Sequence, residues 1–339
     1  MAERAVTTGR QRSIAADGRV SFTFGGQAAI DTITPGELVQ LQTLDCFSGK
    51  VKSVDDLPSQ VCQFPYLNPV TGPLHVAGAR PGDTLAVHVV SLTPAADHGF
   101  SSTFPHFGAL TGTHTTAMLQ PPLEERVWRY EIDHARGTIR YAARASDHRI
   151  DLPLAPMLGT VGVAPAGGEV RATIACAAHG GNLDTPLIRP GTTVFLQVNE
   201  PGALLGVGDG HARQGDGEAC GVAVEVPMHV TLAVDVVPAT TTPWPRLESA
   251  DALMSVGVAR PLEDAYRIAH EDLVRQVVAA TGLDLLDAYQ LVSQAGRARV
   301  GNVVDENYTI VAAIDKSLLG SRPAYGGVHG RLAALGGAE

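Results

Sequence analysis

The residues best suited to chemistry crowd into one stretch, Gly206-Val-Gly-Asp-Gly-His-Ala-Arg-Gln-Gly-Asp-Gly-Glu218. Asp209 and His211 stand two apart, as do Asp216 and Glu218, so in extended backbone each pair projects to one face. The glycines between them permit tight bends and close backbone approach. Carboxylates and an imidazole converging beside small residues suit a cation site. The competing reading is a glycine-rich turn with exposed charges, since Asp and Gly are ordinary turn residues. The acids do not follow the ligand pattern of an EF-hand, and no G-x-x-x-x-G-K-[ST] phosphate loop occurs.

A second polar cluster, Ala178-His-Gly-Gly-Asn-Leu-Asp184, lies about thirty residues earlier. Asn182 and Asp184 again share a face, and two such clusters at strand ends can converge across a sheet. His179 alone reads as an ordinary core or surface histidine. Other templates are absent: there is no G-x-S-x-G elbow, no H-E-x-x-H helix and no G-x-G-x-x-G turn. The four cysteines, Cys46, Cys62, Cys176 and Cys220, lie far apart without a C-x-x-C pair, which argues against a disulfide framework or a zinc-thiolate site. His98, His106 and His114 fall in 95–120, which reads as one long irregular loop, a lid candidate.

The elements that must position these residues are mostly strands. Runs at 20–24, 84–92, 169–175 and 192–198 are strand-length, rich in Val, Ile, Leu, Thr or Phe, and bounded by Gly, Pro, Asp and Asn. The stretch 221–237 reads as two strands broken near Pro227, which a central ladder would not accept. From Pro261 the period changes to that of a helix, with Leu262, Ala265, Ile268, Ala269, Val277 and Ala280 on one face and Gly282 as the stop. A second short helix follows over 284–295, with Leu286, Tyr289 and Val292 expected inward, and then a strand at 308–314. The expected fold is mainly β with α+β elements: a β-sandwich or barrel-like core with a C-terminal helical layer. Its expected divisions are an N-terminal extension (1–19), a catalytic domain (20–320, β-rich to about 240, α+β from about 245) and a C-terminal tail (321–339).

Composition narrows the function. The chain has 339 residues, 45% of them hydrophobic, enough for a sizeable core. A formal net charge of -10 leaves no basic stripe to neutralise phosphates, so nucleic acid is not an expected partner. No apolar run reaches the length of a membrane span, and none in the N-terminal twenty residues could serve as a secretory h-region. A cytoplasmic homo-oligomer without a membrane partner is the expectation.

Longer segments carry a resemblance. Gly180-Gly-Asn-Leu-Asp184, Pro201-Gly-Ala-Leu-Leu-Gly-Val-Gly-Asp-Gly-His211 and Gln214-Gly-Asp-Gly-Glu-Ala-Cys-Gly221 resemble the core signature of the acetamidase/formamidase family. Asn68-Pro-Val-Thr-Gly-Pro73, Ala79-Arg-Pro-Gly-Asp83 and Gly159-Thr-Val-Gly-Val-Ala-Pro165 are similar to its N-terminal half. Asp287-Ala-Tyr-Gln-Leu-Val-Ser293 and Val303-Val-Asp305 are similar to its C-terminal half. The tract 95–150 matches only loosely.

The resemblance implies metal-dependent hydrolysis of short amides, formamide or acetamide, to a carboxylate and ammonia on a β-rich fold. Asp45 also matches an acidic position of the family. With residue chemistry added, the expected ligands of a divalent metal, zinc first and calcium second, are Asp45, Asp184 and His211. Asp209 is expected to orient the imidazole and Glu218 to act as general base and proton shuttle. Asn182, Gly181 and Asp216 are the expected substrate contacts. Scarce aromatic residues, 5% of the chain, suggest a small pocket for short aliphatic amides. Two rivals stand beside this reading: a cysteine nucleophile at Cys46 or Cys220, and a calcium-stabilised β-sandwich binding module without activity.

Overall fold

Strand alternation decides the architecture. In the strand Thr84–Pro94, Leu85, Val87 and Val89 enter the main core. Ala86 faces the other way, into a smaller core beneath the C-terminal helix Val328–Gly336, and His88 meets His329 of that helix edge to face. The strand Ala252–Ala259 divides likewise, with Met254, Val256 and Val258 on the main core and Leu253 under the helices. The sequence therefore specifies three layers, sheet on sheet with helices outside.

A computed structural model describes residues 11–15, 18–111, 121–320 and 322–337 of the chain. A nine-stranded sheet is built around Thr84–Pro94, with Met228–Val237 and Thr193–Gln197 pairing antiparallel to it on either side. The second sheet has twelve strands, and Leu205–Arg213 runs between Met157–Gly162 on one side and Val224–Glu225 and Val70–Val76 on the other. One core cluster draws from the inner faces of both sheets. This is the expected β-sandwich with a helical layer; barrel-like closure is corrected, because among the described residues neither large sheet closes on itself.

Most local expectations hold. Strands appear at Thr84–Pro94 and Thr193–Gln197, and 221–237 divides into Val224–Glu225 and Met228–Val237 with Pro227 between them. The long helix spans Leu262–Thr281 and ends at Gly282 in the left-handed conformation. In the following helix, Leu285–Ala295, Asp284 caps the N-terminus by accepting from Leu286 and Asp287 backbone N–H groups.

Other expectations need correction. Leu286 and Tyr289 are exposed, and the inward face is Ala288 with Val292, in the core shared with the longer helix. The run 169–175 forms only the two-residue strand Arg171–Ala172. The supposed loop 95–120 contains the strand His98–Thr103, paired with Arg126–Asp133. Described residues outside the expected 20–320 domain pack against the nine-stranded sheet. Gln11–Ser13 adds a parallel edge strand beside Leu38–Thr43, and Val328, Leu332 and Leu335 bury against the nine-stranded sheet. No helix among the described residues is long and apolar enough to cross a membrane.

Candidate active site

The glycine-rich stretch is not a turn. Leu205–Arg213 is a strand buried along nearly its whole length, and its glycines serve close packing. A Cβ on Gly208, for example, would strike the Pro69 carbonyl oxygen. Asp209 interrupts the strand with a φ of 57°, in the left-handed region that non-glycine residues avoid. Asp184 (42°) and Glu218 (47°) share this conformation. Three strained acids converging on one pocket mark a site held in place by its surroundings. Gly159 leaves the room they need, because a Cβ there would collide with Asp209 Oδ2 and Asp184 Oδ1.

The acids surround one imidazole. His211 Nε2 lies 3.3 Å from both Asp209 Oδ1 and Glu225 Oε2, and all three side chains are at most 3% exposed. Glu225 is the cross-strand partner of His211. Two sets of donor atoms each gather within 4.8 Å: Asp184, His211 and Glu218 form one, and Cys46, Asp209 and Glu225 the other. Asp305 joins them through Asn182, whose Nδ2 donates to Asp184 Oδ2 (2.6 Å) and to Asp305 Oδ2 (3.0 Å).

Gln214 fixes the imidazole. Its amide nitrogen donates to the carbonyl oxygens of Asp184 (2.6 Å) and Gly301 (3.1 Å), so its oxygen must be the atom facing His211 Nδ1 at 3.0 Å. Nδ1 then carries the proton as donor, and the Nε2 lone pair points toward carboxylates. That arrangement is repulsive unless a cation, a proton or a metal, occupies the space. Four buried atoms have no hydrogen-bond partner here: Asp184 Oδ1, Asp209 Oδ1, His211 Nε2 and Glu225 Oε2. Orphaned ligand atoms of this kind, nitrogen and oxygen together with a nearby cysteine sulfur, fit a divalent metal of the zinc type.

Protonation follows from the crowding. Burial, reinforced by Glu218, Asp209 and Asp305, pushes Asp184 well above the usual carboxylate range. Burial likewise raises Glu218 strongly, with His211 opposing and Glu225, Asp305 and Asp209 adding to it. Glu225 is raised to about 7 and Asp305 to about 6, burial leading in both. Burial works against a charged His211, yet Glu225 and Asp209 overcome it and raise the imidazole well above its ordinary value. The cluster holds protons near neutrality, as general acid–base chemistry requires.

The expected site residues separate accordingly. Asp184, Asp209, His211 and Glu218 come together. Asp45 stands outside the two donor sets; its carboxylate accepts the Gly49 N–H at 2.8 Å, and its neighbour Cys46 enters instead. Asn182 is fully engaged, since its oxygen accepts from Thr160 (2.5 Å) and Asn68 (3.1 Å) while its nitrogen serves two acids. It organises the acids and has no hydrogen bond left for substrate. Gly181 lies in a strand between 157–162 and 176–177. Asp216 points outward to a bidentate pair with Arg299. His98 packs on Phe100, His106 is exposed at the pocket mouth, and His114 lies outside the described residues.

Sequence reasoning missed Glu225, gave Gln214 and Asp305 no role, and weighed Cys46 only as a rival nucleophile. Glu225 did carry a signal, as a lone acid in the apolar run Val222-Ala-Val-Glu-Val-Pro-Met228. The pocket above the cluster has a volume of about 550 Å³.

Comparisons with known proteins agree with one another. The sequence model of the Acetamidase/Formamidase family matches residues 27–168 and 154–250. A protein of Schizosaccharomyces pombe that carries the name formamidase is 26% identical over 250 residues, and the alignment spans only 60% of its length and 60% of this chain. The crystal structure of an acetamidase from Yersinia enterocolitica superposes with a TM-score of 0.87 at 41% identity, covering 93% of this chain and 94% of that one. An acetamidase from Bacillus halodurans gives 0.81 at 30% identity, covering 92% and 100%.

Proposed function

Because the chain belongs to the acetamidase/formamidase family, we propose that it hydrolyses short amides, formamide and acetamide among them, to a carboxylate and ammonia at a divalent metal. The observation that carries the metal is the set of four buried, unpartnered atoms on Asp184, Asp209, His211 and Glu225. His211 Nε2 would hold the ion together with carboxylates of that set. When bound, the metal supplies Lewis acidity to the amide carbonyl and lowers the pKa of water toward roughly 7. Zinc is favoured over calcium, because the His211 nitrogen lies among the oxygens.

The chain's own groups do the rest. Gln214 keeps the Nε2 lone pair of His211 available. Glu218, raised by burial and by its acidic neighbours, takes a proton from the attacking water and returns it to the departing nitrogen, so that the C–N bond breaks as ammonia forms. Asn182 holds Asp184 and Asp305 in register.

Neither rival is favoured. Burial, with Glu225 beside it, pushes the Cys46 thiol well above its ordinary value, which leaves it a neutral thiol and a poor nucleophile. A structural calcium site would be built from oxygen and has no use for His211. Ammonia release from formamide and acetamide, measured with metal content on the purified chain, tests the reading. Full turnover by metal-free protein would remove the metal from it, and no ammonia from either amide would remove the activity.

A further inference from the structure

The pocket is far larger than a four-heavy-atom amide needs. About 550 Å³ lies within the range of roughly 300–1,000 Å³ that holds much bulkier ligands. Its inner end is the acid cluster. Its wall is aromatic: Phe47, Phe64, Phe104 and Phe107, half of the eight phenylalanines in the chain, line it together with Tyr308. Few aromatic residues overall therefore did not mean few at the site.

The wall is fixed to the catalytic loop. Phe104 and Phe107 meet edge to face with centroids 6.3 Å apart. The Phe107 ring rests on Gly221, where a Cβ would collide with it, and Ala109 N–H donates to the Ala219 carbonyl at 2.9 Å. Glu218 directly precedes this seat. Farther along the wall, the Arg260 guanidinium lies 4.7 Å over the Tyr308 ring, adding a second flat surface. Phe64, 74% exposed, extends the apolar wall to the rim.

We propose that the pocket takes primary amides that carry an aromatic ring, phenylacetamide being the simplest, with the amide at the acid cluster and the ring on the phenylalanine wall. This rests on the amide-hydrolase reading and names its substrate class; formamide and acetamide fill only the inner end. A ring presents faces and edges that Phe104 and Phe107 are already arranged to meet. Water adds to the carbonyl and ammonia leaves, giving phenylacetate.

The test compares kcat/KM for acetamide, hexanamide and phenylacetamide on the full chain, alongside calorimetric binding of phenylacetamide. Phenylacetamide should exceed acetamide by about 10-fold or more, the gain expected from burying a ring-sized apolar group. Phe107→Ala should cut that ratio by about fivefold, and Phe64→Ala at the exposed rim serves if the first variant does not fold. Hexanamide equal to phenylacetamide would replace the ring with mere apolar bulk and overturn the assignment. Turnover of acetamide with neither turnover nor binding of phenylacetamide would also overturn it, while leaving the activity intact. Binding of phenylacetamide that weakens in Phe107→Ala, without turnover of any amide, would keep the pocket and sink the hydrolase.

Discussion

Two buried polar networks in this chain differ in one respect, and the difference separates scaffold from site. Behind the nine-stranded sheet, Arg246 pairs with Asp272 through two hydrogen bonds of 2.8 and 2.6 Å. Ser255 also donates to that carboxylate at 2.5 Å, Arg246 donates to the Tyr325 hydroxyl at 2.8 Å, and Thr242 meets the same hydroxyl at 2.9 Å. None of these atoms lacks a partner. In the pocket, acids crowd one imidazole and four atoms have none. A closed network holds a helix to a sheet. An open one, kept together by strained backbone at Asp184, Asp209 and Glu218, is arranged for something that arrives later.

Breaking the closed network should cost the most. Arg246→Ala strands Asp272, whose side chain is 1% exposed, without its cation. Removing one partner of a buried ion pair typically costs roughly 3–5 kcal/mol. Urea unfolding should show that loss, and the folded fraction should keep its turnover per molecule. A change below about 1 kcal/mol would show that the pair does not hold the helix.

The open network should respond the opposite way. Glu218→Gln keeps the shape but removes a group that passes protons, so turnover should fall about 100-fold or more. Stability should hold or rise, because a crowded acid has been made neutral. Loss of metal together with activity would make Glu218 a ligand instead of a proton carrier. Near-normal turnover would leave it without a catalytic role.

A smaller effect is expected one step removed. Gln214→Leu deletes the acceptor that fixes the His211 tautomer. Partners of a metal-binding histidine usually change metal affinity by about 10–100-fold, so a competitive chelator titration should show a shift near the lower end of that range. An unchanged affinity would mean that the carboxylates alone set the imidazole.

Much of the scaffold was legible because it is local. Pro227 between two strands, Gly282 at a helix end and the apolar run 84–92 act within a few residues of themselves. The site was legible in part through the period of two. Asp209 and His211 do share a face, 3.3 Å apart at their nearest atoms. Glu225 and Asp305 arrive through distant pairing, one across the ladder from His211 and the other from a loop reached through Asn182, so even the lone acid of an apolar run did not say what it would meet. The aromatic wall was hidden for a related reason, since composition counts phenylalanines without placing them.

The pair Asp216 and Glu218 gives the sharpest contrast, and the smallest expected effect. Two residues apart in an extended chain, they should face the same way. They do not, because Gly217 (φ 84°) and Glu218 (φ 47°) turn the backbone between them through the left-handed region. Glu218 is carried into the pocket at 7% exposure, and Asp216 is turned out to Arg299 with its side chain 45% exposed. An exposed ion pair is worth about 0–1 kcal/mol, even with the two hydrogen bonds formed here. Asp216→Ala should therefore lower stability by no more than about 1 kcal/mol in urea unfolding, less at high salt, and leave kcat and KM for acetamide within about twofold. The same measurements on Glu218→Gln set the scale. If Asp216→Ala instead raised KM tenfold at unchanged stability, the outward orientation would be wrong and Asp216 would belong with the substrate contacts. If it lost several kcal/mol, the Arg299 pair would be holding the Glu218 loop in place, and the boundary between scaffold and site would run through that loop.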